Sequence, residues 1–175
     1  MIGYIALALY ALTIPAANWM IGNVGSCIPN GPCLIPVGFG LAAPSGVLMI
    51  GAALLLRDAV HRLLGWKWAI AAILIGAALS YQFSAPTLVM ASVAAFLLGE
   101  LADLAVYTPL QRKRLVLAVF ASGAVGAVID SAVFLWLAFG SLDFIAGQIV
   151  GKLLMSVFAA AIISAVRAAK AVQHG

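Results

Sequence analysis

The chain has 175 residues, of which 66% are hydrophobic and only 8% are charged. A soluble domain carries about 25% charged residues, so this composition excludes a soluble globular protein and indicates helices that cross a bilayer. The net charge of +4 does not indicate nucleic-acid binding, because such binding needs a basic face on a folded soluble body.

Six apolar runs in the sequence are long enough to cross a bilayer, which takes about 20 helical residues. The predicted spans are residues 2–21, 37–56, 63–81, 86–107, 115–139 and 144–166. The connections between these runs are short. We therefore expect an all-α integral membrane fold, in which residues 1–175 form a single domain of six transmembrane helices.

The basic residues predict the orientation of these spans. Eight of the nine Lys and Arg residues follow the second, fourth or sixth span, and none lies in a predicted outer loop. The eight are Arg57, Arg62, Lys67, Arg112, Lys113, Arg114, Arg167 and Lys170. Because positively charged loops stay in the cytoplasm, we expect a multi-pass protein of the cell inner membrane with both termini inside.

The first predicted outer loop contains two cysteines, in the segment Cys27-Ile-Pro-Asn-Gly-Pro-Cys33. The outer side of an inner membrane permits disulfides. Pro-Asn-Gly-Pro is typical of a turn that would bring the two thiols together. We therefore favour a disulfide over free thiols, and two Cys residues without a nearby His make a poor metal site.

The second predicted span is interrupted by Ala43-Pro44-Ser45-Gly46. Proline removes a helix hydrogen bond, so a break or kink is expected there. Broken helices at membrane depth are tolerated where they line a cavity, and transporters bind substrate at such breaks. The segment is either an ordinary proline kink or part of a substrate site.

Four charged residues are predicted within the hydrocarbon layer, where each costs several kcal/mol and needs a partner or a function. Asp130 and Lys152 lie roughly 13 Å and 12 Å below the outer ends of the fifth and sixth spans. They either pair with each other or both face a polar cavity that holds a solute. The other two, Glu100 and Asp103, share one face of the fourth span.

The environments of those two acids are expected to differ. Asp103 is near enough to the inner surface to pair with Arg112 or Arg114. Glu100 lies about 10 Å in from Tyr107, so it requires either a proton or a donor-rich partner. The sequence has no Walker A motif, no Gly-rich nucleotide fingerprint and no His pair at ligand spacing. We therefore expect neither an enzyme nor a cofactor.

Three segments together match a family pattern. The fourth span reads Ala91-Ser-Val-Ala-Ala-Phe-Leu-Leu-Gly-Glu-Leu-Ala-Asp103 and is followed by Tyr107. The fifth and sixth spans add the polar and aromatic positions Ser122, Asp130, Ser131, Phe134, Phe139, Gln148 and Lys152. This pattern resembles the queuosine precursor transporter family, also described as vitamin-uptake-like, over roughly residues 40–165. Ser131 departs from the family's usual Thr, and Arg57 stands where Thr is common.

The resemblance implies import of 7-cyano- and 7-aminomethyl-7-deazaguanine, bases used in tRNA modification. It also implies a six-helix fold similar to the substrate-binding components of energy-coupling-factor transporters. Family members act without a dedicated ATPase and form homodimers, so the implied partners are a deazapurine, the lipid bilayer and a second copy. The alternative is a substrate-capture subunit, for a vitamin or another small solute, that needs an energising partner.

A deazaguanine presents a ring N–H beside an exocyclic amine, and one carboxylate accepts both. Glu100 or Asp130 is expected to do so, while Gln148 or Lys152 donates to the carbonyl oxygen. Phe96 lies one turn before Glu100 and is expected to stack on the base. The predicted substrate-binding residues are Glu100, Asp130, Lys152, Gln148, Phe96, Ser92 and Ser45.

Overall fold

The computed structural model describes residues 1–29 and 31–173. In this part of the chain there are six α-helices, namely α1 (Ile2–Asn23), α2 (Val47–Leu64), α3 (Trp66–Phe83), α4 (Val89–Leu110), α5 (Leu115–Phe139) and α6 (Ile145–Gln173). Three short strands join α1 to α2, namely β1 (Ser26–Cys27), β2 (Cys33–Gly38) and β3 (Leu41–Pro44). They form one antiparallel sheet in the order β1-β2-β3.

Three of the helices, α1, α4 and α5, are long and apolar enough to cross a membrane. Each contains at least 22 residues, which at 1.5 Å per residue exceeds the roughly 30 Å of a hydrocarbon core. The chain is thus mostly helical, with several helices of membrane-spanning length. The six-fold crossing and the cytoplasmic placement of both termini stay predictions.

The prediction of a helical span over residues 37–56 is wrong in its first half. That part forms β2, a turn and β3, and α2 begins only at Val47. At the turn, Phe39 and Gly40 both have positive φ, at 52° and 72°. Pro36 and Pro44 in the strands are poor helix formers. Pro44 is therefore a strand residue rather than a helix kink. The sequence does not predict this, because a hydropathy window does not separate an apolar strand from an apolar helix.

This later start of α2 also makes the predicted location of Arg57 wrong. The residue lies within α2 and is 0% exposed, rather than lying in a cytoplasmic loop. The exposed basic residues cluster at the α2–α3 and α4–α5 connections, and they are Arg62, Lys67, Arg112, Lys113 and Arg114. The two connections meet where Gln111 Nε2 lies 2.9 Å from His61 Nε2. We call this end of the molecule the basic end; the side chains of Arg167 and Lys170 lie outside the description.

The sheet lies at the opposite end and is tied to itself and to α6. Cys27 and Cys33 are cross-strand partners in β1 and β2, and they form a disulfide. Glycines on α6 allow the strands to approach closely. A Cβ placed on Gly151 would meet Val37 Cγ1 at 3.2 Å, and one placed on Gly147 would meet the Ala43 Cβ at 3.4 Å.

Helices α4 and α5 form the most extensive helix pair, and glycines bring them together at two points. A Cβ on Gly99 would lie 2.5 Å from the Asp130 Cβ, and one on Gly126 would lie 2.9 Å from the Asp103 Cβ. Small residues at helix contacts let backbones approach closely in membranes. The two acids therefore lie on the α4–α5 seam, Asp130 nearer the sheet and Asp103 nearer the basic end.

Candidate functional site

A cavity of about 600 Å³, including its open mouth, lies at the end of the bundle away from the basic end. The C-terminal parts of α1, α3 and α5 and the N-terminal parts of α2, α4 and α6 line it. Its polar lining residues are Asn18, Ser80, Ser92, Asp130, Gln148 and Lys152. Small-molecule sites are typically clefts with a few polar groups in an apolar wall. The cavity has that composition.

The polar wall of the cavity is organised by Lys152. Its Nζ donates to Ser131 Oγ at 2.8 Å, to Gln148 Oε1 at 2.8 Å and to Asp130 Oδ2. An ammonium group has three donors, so all of them are used within the protein. The sequence left two alternatives open for Asp130 and Lys152. Both apply, because the two residues pair with each other and also line the cavity.

This arrangement leaves two groups of the polar wall available to a solute. Asp130 uses Oδ2 for the lysine, and Oδ1 accepts no hydrogen bond from the described residues. Gln148 uses Oε1 for the lysine, and its Nε2 donates to no acceptor in the same part of the chain. The wall thus offers a carboxylate acceptor beside an amide donor, both held in place by Lys152.

Two phenylalanine rings contribute to the apolar lining. Phe96 on α4 packs against Tyr10 with ring centroids 6.4 Å apart, and Phe134 on α5 packs edge-on against Phe139 at 5.8 Å. Phe134, Asn18 and Ser80 were not predicted as site residues. Phe134 could have been found, since it lies one helical turn after Asp130 on the same face.

Two predicted site residues do not line the cavity. Ser45 is 0% exposed, and its hydroxyl donates to the Met20 carbonyl oxygen at 2.6 Å, which joins the start of α2 to the end of α1. Glu100 lies one turn beyond Phe96, farther from the mouth. The other five, Ser92, Phe96, Asp130, Gln148 and Lys152, all line the cavity.

Glu100 belongs to a second group of charges, which we call the Arg57 cluster and define as Arg57, Asp58, Glu100 and Asp103. Arg57 Nε donates to Glu100 Oε2 at 2.8 Å, and Nη1 donates to Asp58 Oδ1 at 2.7 Å. The third bond runs from Nη2 to Asp103 Oδ1. The donor-rich partner that Glu100 requires is therefore Arg57. The predicted pairing of Asp103 with Arg112 or Arg114 is wrong, because Asp103 is 0% exposed and pairs with Arg57 instead.

The cluster contains more acceptors than its single guanidinium satisfies. Glu100 Oε1 and Asp103 Oδ2 are buried without a hydrogen-bond partner among the described residues. On the side of the basic end, Tyr107 covers the cluster. Its hydroxyl donates to the Asp58 carbonyl oxygen at 3.3 Å, and its ring centroid lies 6.0 Å from the Arg57 Cζ.

Residues 81–167 match a family described as "Putative vitamin uptake transporter". The matched part includes α4, α5 and most of α6, which supply the polar wall and two acids of the Arg57 cluster. No curated protein and no solved structure matches the chain. The family match supports a vitamin-uptake-like transporter, and together with the long apolar helices it supports a multi-pass membrane protein.

Proposed function

We propose that this vitamin-uptake-like transporter imports a neutral, planar, guanine-like base across the inner membrane, in particular the queuosine precursor 7-cyano-7-deazaguanine. The observation that carries the proposal is the polar wall. There, Asp130 Oδ1 and Gln148 Nε2 have no hydrogen-bond partner in the described part of the chain, while Lys152 bonds to both side chains. The rest of the cavity is largely apolar.

The free groups of the wall complement one edge of a guanine-like ring. Its ring N–H and exocyclic amine are adjacent donors, and a carboxylate such as Asp130 accepts hydrogen bonds from them. The neighbouring carbonyl oxygen then accepts from the Gln148 amide. We assign that donor to Gln148 rather than Lys152, because all three lysine donors are already used.

The aromatic lining suits the faces of the same ligand. Phe96 and Phe134 approach the cavity from α4 and α5, and aromatic rings stack on bases with about 1–3 kcal/mol per base. The wall carries one carboxylate and one ammonium, so it is formally neutral. A neutral base therefore fits it better than a cationic one, which favours the 7-cyano over the 7-aminomethyl compound.

The proposed direction of import follows from the two ends of the molecule. Exposed basic residues gather at the basic end, and positively charged connections stay in the cytoplasm. The cavity opens at the other end, and its mouth would therefore face outward. A base entering from outside meets the sheet and the polar wall before it meets the Arg57 cluster.

The test is uptake of 7-cyano-7-deazaguanine into liposomes that contain the purified protein and nothing else. We expect saturable uptake that guanine inhibits. Hypoxanthine, which lacks the exocyclic amine, should inhibit at least tenfold less well, which corresponds to a difference in binding free energy of about 1.4 kcal/mol. Binding without uptake would favour a substrate-capture subunit that needs an energising partner. The absence of both binding and uptake would overturn the proposal.

A further inference from the structure

We propose that the Arg57 cluster binds a proton that crosses the membrane with the solute, which makes the protein a proton symporter. This inference rests on the proposed transport function and adds its driving force. It starts from four buried charged residues that lie beneath the cavity and do not line it.

The first argument is the charge of the cluster. Three carboxyl groups surround one guanidinium, and all four side chains are at most 4% exposed. With every group ionised the cluster would carry a formal charge of −2. Uncompensated charge in an apolar interior is very costly, and carboxyl groups placed there take up protons instead. The composition of the cluster therefore calls for bound protons.

The second argument is the set of unpaired oxygens around the cluster. Among the residues that the structure describes, Glu100 Oε1 and Asp103 Oδ2 have no hydrogen-bond partner, and neither do the hydroxyls of Tyr10 and Ser122, both 0% exposed. The Tyr10 hydroxyl lies near Glu100, and the Ser122 hydroxyl lies near Asp103. A proton on Glu100 Oε1 would turn this buried acceptor into a donor, and the Tyr10 hydroxyl is an acceptor near Glu100.

Polar and aromatic side chains lie between the cluster and the basic end. Tyr107 lies between the cluster and His61, whose ring centroid is 5.5 Å from that of Tyr107. His61 in turn contacts Gln111, next to the exposed Arg112. Of the charged groups nearby, Arg62 also reaches this point, donating to the Gln111 carbonyl oxygen at 3.4 Å.

Toward the mouth, the cluster adjoins the solute cavity. Phe96 lines the cavity and lies one turn from Glu100 on α4, and the backbone of Gly99 lies against Asp130. Lys152, the other charge on that side, is held by Asp130. One short stretch of α4 therefore contacts both the solute site and the proton site, which allows the occupancy of one to affect the other.

A metal cation is a poorer occupant than a proton. In residues 1–29 and 31–173, no group of three or more His, Cys, Asp and Glu side chains is arranged to hold a metal ion. Arg57 occupies the centre of the cluster, where it already donates to all three acids and would repel a cation.

The first measurement needs no solute. Infrared spectra of the lipid-reconstituted protein, recorded over a range of pH, should contain the carbonyl band of a protonated carboxyl group. We expect this band to weaken in Glu100→Gln and to stay unchanged in Asp143→Asn, since Asp143 is the exposed acid of the chain. Asp103→Asn serves in place of Glu100→Gln if that variant does not fold.

The second measurement is accumulation of 7-cyano-7-deazaguanine in liposomes with an outside-acid gradient of about one pH unit and the membrane potential clamped at zero. Symport of one proton predicts accumulation of about tenfold, and a ratio near one in Glu100→Gln. Absence of either the band or the pH-driven accumulation overturns the inference, as does accumulation driven by Na⁺. Uptake that does not depend on the pH gradient would overturn symport but leave the proposed function standing. The absence of uptake under any gradient would overturn both.

Discussion

Arg57 on α2 and Glu100 on α4 form a buried ion pair, with the Arg57 Nε 2.8 Å from Glu100 Oε2. The same guanidinium also contacts Asp58 and Asp103. Three acids on two helices therefore depend on one side chain. Removal of that side chain would leave all three without their cation.

Replacing Arg57 should accordingly be the most damaging single change. We expect Arg57→Met to lower stability by about 3–5 kcal/mol, the usual cost of breaking a buried charge pair by removing one partner. Arg57→Lys should rescue little, because an ammonium cannot reproduce the planar fork that reaches three carboxyl groups. Thermal unfolding in detergent measures both. Arg62→Met is the matched control, at an exposed arginine five residues later. Equal losses of stability in the two variants would contradict this account.

Asp130→Asn should abolish uptake of 7-cyano-7-deazaguanine while the protein still inserts and folds. The variant replaces one oxygen of the carboxylate that we propose accepts two hydrogen bonds from the base, and it removes the negative charge paired with Lys152. We expect uptake to fall at least 100-fold, about 2.7 kcal/mol. Initial rates in liposomes measure this loss. Asp143→Asn is the control, because it makes the same chemical change at an exposed position. Near-normal uptake by Asp130→Asn would refute the assigned binding mode.

The Asp130–Lys152 pair also predicts a non-additive effect on stability. Lys152→Gln alone leaves a buried carboxylate without its cation, whereas Lys152→Gln combined with Asp130→Asn leaves no charge to compensate. We expect the double variant to be more stable than Lys152→Gln, with a coupling energy of about 0.5–3 kcal/mol. Denaturation of the wild type, both single variants and the double variant completes the cycle. Additive losses would show that the two side chains do not interact.

Gly99→Ala should disturb the α4–α5 seam. The added Cβ would lie 2.5 Å from the Asp130 Cβ, and such overpacking costs typically 1–3 kcal/mol. We expect lower thermal stability together with a higher KM, because Asp130 must move. In Gly22→Ala on α1 the new Cβ meets nothing within 4 Å, and Ala favours helix by about 1 kcal/mol over Gly. Equal behaviour of the two variants would argue against the close approach.

Much of the helical framework follows from the sequence. The predicted span 115–139 coincides with α5, and the predicted 2–21 span differs from α1 by two residues at one end. Long, uniformly apolar runs bounded by charges or glycine leave few alternatives to a helix. The motifs that carry the predicted family resemblance lie on α4 to α6, and the match to the vitamin-uptake-like family falls in the same part of the chain.

The failures come from interactions that no local window contains. Pro44 lies in a strand because the sheet pairs it with Leu34, ten positions earlier in the chain. Arg57 directly follows an apolar run, and a basic residue that flanks a membrane span on the cytoplasmic side has the same sequence pattern. Its burial depends on Glu100 and Asp103, 43 and 46 residues later. Five of the seven predicted binding residues line the cavity. Helix periodicity places Ser92 and Phe96 on one face of α4, and Gln148 and Lys152 on one face of α6.

The position of Arg57 has a consequence for biogenesis. Insertion scales assign Arg and Asp about +2.5 to +3.5 kcal/mol each at the centre of a helix, so α2 is a poor substrate for independent release from the translocon into lipid. Its compensating acids on α4 are synthesised more than 40 residues later. The predicted six-span topology therefore requires the nascent α2 and α3 to wait beside the translocon, or beside a membrane chaperone, until α4 emerges and the helices enter the lipid together.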